Sequence, residues 1–160
     1  MRIRQRVYFR IWSETISASQ VTGRLGIESD AFSVRGSRIA QPPVPKGDQW
    51  TVSCDEPGLR IDEQMARVLD RLEPYRDKIA ALVTDVARSD PPGAAELQVV
   101  RYFDDEEGEE ESEQETRQPD GSVFERLPGQ HQLLGWHLDT RTIAFLRDVG
   151  AELDVDEYGL

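Results

Sequence analysis

The 160 residues carry a formal net charge of -12 and are 38% hydrophobic, which suits one domain with a single core. Cys54 is the only cysteine, so the sequence excludes an intrachain disulfide and a four-cysteine zinc site. No apolar run reaches the length of a membrane span, and the amino-terminal segment has no signal-peptide apolar region. We therefore expect a cytoplasmic protein without a membrane partner.

The amino-terminal segment alternates between two kinds of residue, which predicts a β-strand with one buried side. Apolar residues fall on one side, at Ile3, Val7, Phe9 and Ile11; basic and aromatic residues fall on the other, at Arg2, Arg4, Arg6, Tyr8, Arg10 and Trp12. Residues 17–20 then fit a capping box for a short helix that Gly26 ends. Further strands are predicted at residues 32–34 and 49–54, on either side of a proline-rich loop.

Residues 62–88 show the strongest helical pattern, with apolar residues at i, i+3, i+4 and i+7 on both sides of Pro74. Because proline suits the first turn of a helix, we expect a sharp kink or two helices there. Strands at 96–103 and 133–138 are predicted to form a long-looped hairpin. Asp139 should cap a helix that Gly150 ends, with Ile143, Leu146 and Val149 facing inward, and a last strand should follow.

An acidic run, Asp104–Glu115, contains nine carboxylates and no basic residue. Repelling charges without apolar residues favour a solvated, disordered loop over residues 104–122. The same charges would steer association with a basic protein. Calcium binding is disfavoured, because the run lacks the ligand spacing and the positioned glycine of a calcium loop.

Alternating strands and helices with mixed connections predict a single domain over residues 1–160 of the α+β class. We expect a ferredoxin-like sandwich: a mostly antiparallel sheet, helices on one face and a long acidic loop inserted. In such a sheet the last strand lies antiparallel beside the first. Glu152, Asp154 and Asp156 would then neutralise the arginines of the first strand. RNA binding by the arginine face is the alternative, but without a basic excess we predict no nucleic-acid partner.

One set of residues has the types needed for a nucleophile, a base and an orienting group: Cys54, His131, His137 and Asp139. Nothing in their spacing brings them together, and the chain has no nucleophile elbow, phosphate-binding glycine loop or HExxH pair. We therefore predict no enzymatic activity, no metal site and no cofactor.

Four segments in order resemble a known family: YFRIWSETISASQVTGRLGI, WTVS, LDRLEPYRDKIAAL and LRDVGAELDVDEY. Together they are similar to the bacterial domain-of-unknown-function 4279 family, over nearly the whole chain from Tyr8 to Tyr158. The resemblance implies a compact fold and supplies no catalytic residues. The acidic run departs from the family pattern as an insertion.

The leading hypothesis is a non-enzymatic module that binds a basic protein partner, in an immunity-protein or escort role. The predicted binding residues belong to the acidic run and the strand before it: Asp104, Asp105, Glu106, Glu107, Glu109, Glu110, Glu111, Arg101 and Tyr102. One alternative is a catalytic or small-ligand domain in which Arg4, Arg6 or Arg10 holds an anion. Another is a structural subunit that offers an edge strand to a larger assembly.

Overall fold

The computed structural model of the protein describes residues 1–112, 115–126 and 131–159. Within these ranges there are four α-helices: α1 (Ala18–Leu25), α2 (Ile61–Leu72), α3 (Arg76–Ala87) and α4 (Thr140–Val149). The strands are β1 (Arg2–Ser13), β2 (Ala31–Ser33), β3 (Asp48–Cys54), β4 (Ala94–Phe103), β5 (Glu109–Glu110), β6 (Glu115–Arg117), β7 (Val123–Arg126) and β8 (Glu152–Tyr158). No helix in the described ranges has the length and apolar character needed to cross a membrane.

The main sheet has the order β2-β3-β1-β4-β8, and β5 pairs with the start of β1. Its central strand, β1, is antiparallel to both β3 and β4, while β8 is parallel to β4. Strands β6 and β7 form a separate antiparallel pair. The predicted α+β class with a mostly antiparallel sheet is confirmed.

The predicted position of the last strand is wrong, and the ferredoxin-like arrangement is not confirmed. β8 lies beside β4 and is separated from β1 by that strand. After β4 the chain forms β5, β6, β7 and α4 before it enters β8. A long crossover that includes a helix suits a parallel pair of neighbouring strands. The first strand therefore has β3 and β4 as its neighbours.

The core lies between one face of the sheet and the helices. All odd-numbered residues of β1 from Ile3 to Ser13 are buried. Phe9, Trp50 and Phe145 are the largest fully buried aromatic side chains, and Phe9 meets Phe145 edge to face with ring centroids 5.9 Å apart. Because neighbouring residues of a strand point to opposite faces, the even-numbered side chains of β1 lie on the other side of the sheet.

The predicted ends of α1 and α4 and the predicted break at Pro74 are confirmed. Ser17 and Gln20 form the capping box of α1, and Gly26 ends this helix in the left-handed conformation. Around Pro74 a short 3-10 turn, Glu73–Tyr75, separates α2 from α3. The carboxylate of Asp139 accepts the Thr142 amide at 2.7 Å and so caps α4.

Near the carboxyl end one prediction is wrong and another is confirmed only in part. Residues 133–138 form no strand, because β1 and β8 already occupy both edges of β4. On α4 the buried residues are Thr142, Phe145, Leu146 and Val149, whereas Ile143 is half exposed. Leu146 and Val149 therefore face inward as predicted, whereas Phe145 is buried and Ile143 is not.

Candidate functional site

The candidate site is the face of the sheet that faces away from the helices, called here the open face. It consists of the outward side chains of β1, β3, β4 and β8. On β1 these are arginine, tyrosine and tryptophan side chains, all half-buried or exposed. These three residue types are enriched at protein-binding surfaces.

Three of the four arginines of β1 are neutralised by carboxylates close to them. Arg10 Nη2 lies 2.8 Å from Glu96 Oε2 on the neighbouring β4. Arg4 Nη2 lies 2.8 Å from Asp105 Oδ2, and Arg2 pairs with Glu110. The prediction that Glu152, Asp154 and Asp156 neutralise this row is therefore wrong, because β4 lies between their strand and β1.

Arg6 is the exception. It is exposed, and among the described residues no carboxylate lies within ion-pair distance of its guanidinium. Its contact is with the Tyr8 ring, whose centroid lies 5.5 Å from the guanidinium carbon. A strongly basic group on this face therefore has no anionic partner within the described part of the chain.

The first part of the acidic run, Asp104–Glu110, is called here the flap. It turns back onto β1, where Glu109 pairs with Ile3 and Glu110 with Arg2. Hydrogen bonds from the arginines lower the pKa of Asp105, through Arg4, and of Glu110, through Arg2. These two flap carboxylates thus satisfy groups of the domain itself.

A second set of contacts ties the flap to the rest of the domain at Glu109. Its Oε1 accepts the Gly58 amide at 2.7 Å. Its carbonyl oxygen lies 2.9 Å from Nε2 of the buried His131, whose Nδ1 accepts the Leu133 amide at 3.1 Å. Because Nδ1 is an acceptor, Nε2 carries the proton and donates to Glu109.

The remaining predicted binding residues of the acidic run are Asp104, Glu106, Glu107 and Glu111, and all four are exposed. Residues 113 and 114 lie outside the described residues. The predicted disorder of residues 104–122 stays a prediction.

Arg101 and Tyr102 point to opposite faces of β4. Arg101 is buried on the helix side, where its guanidinium binds Glu157 Oε1 at 2.7 Å and the Leu133 carbonyl at 3.3 Å. Tyr102 lies on the open face and stacks on Tyr158, with ring centroids 5.1 Å apart. The two predicted binding residues therefore do not belong to one exposed surface.

The sequence reasoning missed a hydrogen-bond network around Gln98. Gln98 lies on the open face of β4 but is only 3% exposed. Its Oε1 accepts the Tyr8 hydroxyl at 3.1 Å, and its Nε2 donates to Asp154 Oδ2 at 2.8 Å and to Asp156 Oδ2 at 2.7 Å. One amide group thus holds two carboxylates of the edge strand side by side.

The pKa shifts around this network follow its burial and charge. Burial raises the pKa of the Tyr8 phenol, which faces Gln98. The negative charge of Asp156 raises the pKa of Tyr158. No cationic side chain among the described residues pairs with Asp154, Asp156 or Glu152, so their charges are available to another molecule.

Two small cavities meet at Arg6. The first, about 210 Å³, lies between β1, the loop after β3 and the flap; its lining includes Arg4, Gln5, Arg6, Asp55 and Glu56. The second, about 220 Å³, lies over the open face of β1 and β3 and is lined by Arg6, Tyr8, Thr51, Ser53 and Asp55, among others. Arg6 and Asp55 line both cavities, but no ion pair joins them.

The residues considered for catalysis take separate roles. Cys54 packs against the core, and His131 holds the flap. His137 contacts Asp62 at 3.1 Å, and Asp139 caps α4. In the described ranges no group of three His, Cys, Asp or Glu side chains is arranged to hold a metal ion.

The model of a family described as a domain of unknown function, DUF4279, matches residues 2–160. The chain therefore belongs to this family. No curated protein and no solved structure matches it.

Proposed function

We propose that this member of the DUF4279 family is a non-enzymatic, cytoplasmic module that binds a basic protein partner. The binding surface is the acidic edge of the open face, defined as Glu152, Asp154 and Asp156 together with the exposed flap carboxylates Asp104, Glu106 and Glu107. The observation that supports it is the fixed pair Asp154 and Asp156, which the amide of Gln98 holds without a cationic partner among the described residues.

A structural explanation accounts for only part of this arrangement. Charged side chains on an edge strand prevent pairing with the edge strands of other molecules. That role needs charge alone, and mobile surface carboxylates would fulfil it. The acidic edge instead has a positioned carboxylate pair anchored by an almost fully buried amide. Fixed charges lose little entropy on binding and so suit recognition.

The aromatic pair beside the carboxylates supports the same function. The flap begins two residues after Tyr102, whose ring stacks on Tyr158 at the end of β8, so the start of the flap and the end of β8 lie at the same end of the sheet. Tyr158 is 49% exposed. Exposed tyrosines surrounded by charge are common binding hot spots, because they bury a large area and lose few rotamers.

An immunity-protein or escort role follows from this chemistry as part of the proposal. A basic partner would be drawn to the acidic edge at long range, which speeds association at low salt. Neutralising its charged surface would block or protect it.

Charge-removing variants test the proposal. Asp154→Asn with Asp156→Asn keeps acceptors for Gln98 and removes two charges. Glu28→Gln is the control, since Glu28 is exposed and lies next to the edge strand β2, at the opposite side of the sheet. We expect a stoichiometric partner from native lysate to be retained by wild type and by the control, and lost by the double variant or at high salt. Equal retention of the partner by all three proteins would refute the acidic edge as the binding surface.

A second candidate function is the binding of a small anion at Arg6. Two observations support it: Arg6 has no carboxylate partner among the described residues, and Arg6 lies where the two cavities meet. Titration with acetate, phosphate and succinate, followed by NMR, should shift the Arg6 side-chain signals. No shift with any of the three anions would exclude this candidate.

A further inference from the structure

We propose that the first cavity beside Arg6, called here the slot, binds a small zwitterion of the α-amino acid class. The inference rests on the second candidate function, because it needs Arg6 to accept an anionic group, and it adds the rest of the ligand. The inference does not depend on whether a protein partner binds the acidic edge.

The slot exists because β1 lacks a neighbouring strand along three residues. On the side away from β4, Val7 pairs with Cys54 at the end of β3, and Ile3 pairs with Glu109 in β5. Between these pairs no described strand lies beside residues 4–6 of β1. The loop after β3 and the flap close this gap from two sides, and the contact between Gly58 and Glu109 joins them.

The charges that line the slot are incompletely matched. Glu107 pairs with Arg4, and Glu109 accepts the Gly58 amide. Arg6 remains without an anionic partner among the described residues. Asp55 and Glu56 on the opposite wall are exposed and have no cationic partner there either.

A ligand with one charge of each sign complements this lining. Its carboxylate would bind the Arg6 guanidinium, whose planar donors match a carboxylate. Its ammonium would bind Asp55 or Glu56. A simple anion would meet the repulsion of these two carboxylates, and a simple cation the repulsion of Arg6.

A buried acceptor beside the slot also favours a ligand with N–H groups. Gln5 lines the slot, is only 7% exposed, and donates its Nε2 to the Leu59 carbonyl at 2.9 Å. Its Oε1 has no donor among the described residues. Buried acceptors are nearly always satisfied, so a donor from the ligand or from a ligand-bound water would complete this group.

The volume limits the ligand to a small molecule. About 210 Å³ is below the range of roughly 300–1,000 Å³ that drug-sized ligands occupy. A single amino acid is therefore a better match than a nucleotide or a longer peptide.

The test is a backbone-amide NMR titration of the full chain with each of the common amino acids. The best binder is then compared with its N-acetyl derivative, which lacks the positive charge, and its amide derivative, which lacks the negative charge. We expect shifts confined to residues 3–6, 55–58 and 107–109, and a loss of affinity of about tenfold or more for each derivative.

Single substitutions complete the test. Arg6→Gln and Asp55→Asn should each weaken binding about tenfold, whereas Arg67→Gln, on the exposed side of α2, should leave it unchanged. If the N-acetyl derivative binds as tightly as the free amino acid, the ligand needs no positive charge. That result would overturn the proposal of a zwitterion site and leave an anion site at Arg6. Absence of binding by every amino acid would also overturn the proposal that the slot binds a zwitterion. The titrations with acetate, phosphate and succinate would then show separately whether Arg6 binds an anion.

Discussion

The network around Gln98 gives the sharpest stability prediction. Replacing Gln98 with Met keeps the length of the side chain and removes its amide. The Tyr8 hydroxyl then loses its acceptor, which costs about 1 kcal/mol. The bonds to Asp154 and Asp156 contribute roughly 0.5 kcal/mol each, a low value because both carboxylates can recover water.

Two further effects have opposite signs. Without the bridging amide the two carboxylates repel each other by about 1 kcal/mol near water. Burying an apolar side chain in place of the amide returns roughly 1 kcal/mol. We therefore expect Gln98→Met to lower the free energy of unfolding by about 2 kcal/mol, which for a chain of this length lowers Tm by about 4–8 °C.

Urea unfolding followed by tryptophan fluorescence measures this loss at low and at high salt. The deficit should shrink by about 1 kcal/mol at roughly 1 M NaCl, because salt screens the carboxylate repulsion. Gln49→Met is the matched control, since the Gln49 side chain makes no hydrogen bond among the described residues; its effect should stay within about 0.5 kcal/mol. Wild-type stability of Gln98→Met at low salt would refute the assigned role of the network.

Three further predictions concern other parts of the molecule. A Cβ on Gly108 would lie 2.8 Å from the Ile3 carbonyl carbon, so Gly108→Ala should speed hydrogen exchange in the flap. Gly23→Ala is the control: its Cβ has open space around it, and it should stabilise α1 by about 0.5–1 kcal/mol. Unchanged exchange in the flap of Gly108→Ala would contradict the docking of the flap on β1. In the same urea assay, Phe145→Ala should lower the free energy of unfolding by about 3–5 kcal/mol. Ile143→Ala, at a position that is 50% exposed, should lower it by under about 1 kcal/mol. Equal losses of stability in the two variants would contradict the register of α4. The lowered pKa of Asp105 means that its ion pair stabilises the flap above the usual carboxyl pKa and is lost as pH falls through the lowered value. A carboxyl carbon NMR titration with an ordinary midpoint for Asp105 would exclude that pair.

Local structure in this chain follows closely from local sequence. The strand alternation of β1, the capping box at Ser17 and the break at Pro74 depend on residues within a few positions of each other. The signals for these features are steric and hydrogen-bonding preferences of the chain itself. Helix α4 shows the limit, because Ile143 and Phe145 are both apolar and only packing on the sheet selects Phe145.

Strand order and the site depend on contacts between distant parts of the chain. Nothing local tells β8 to pair with β4 rather than with β1, so the partners predicted for the arginine row were wrong. The Gln98 network could not be predicted for the same reason, because it depends on the register of β4 with both β1 and β8. One signal was present in the sequence: Gln98 is a polar residue within an otherwise apolar stretch of β4.

Hydrogen exchange of the purified complex with its captured partner would locate the binding surface of this domain. We expect protection to be gained in β8, from Glu152 to Tyr158, and at the exposed part of the flap. Protection confined to the proline-rich loop at residues 34–47 or to the outer surfaces of α2 and α3, with β8 unchanged, would contradict the acidic edge as the binding surface.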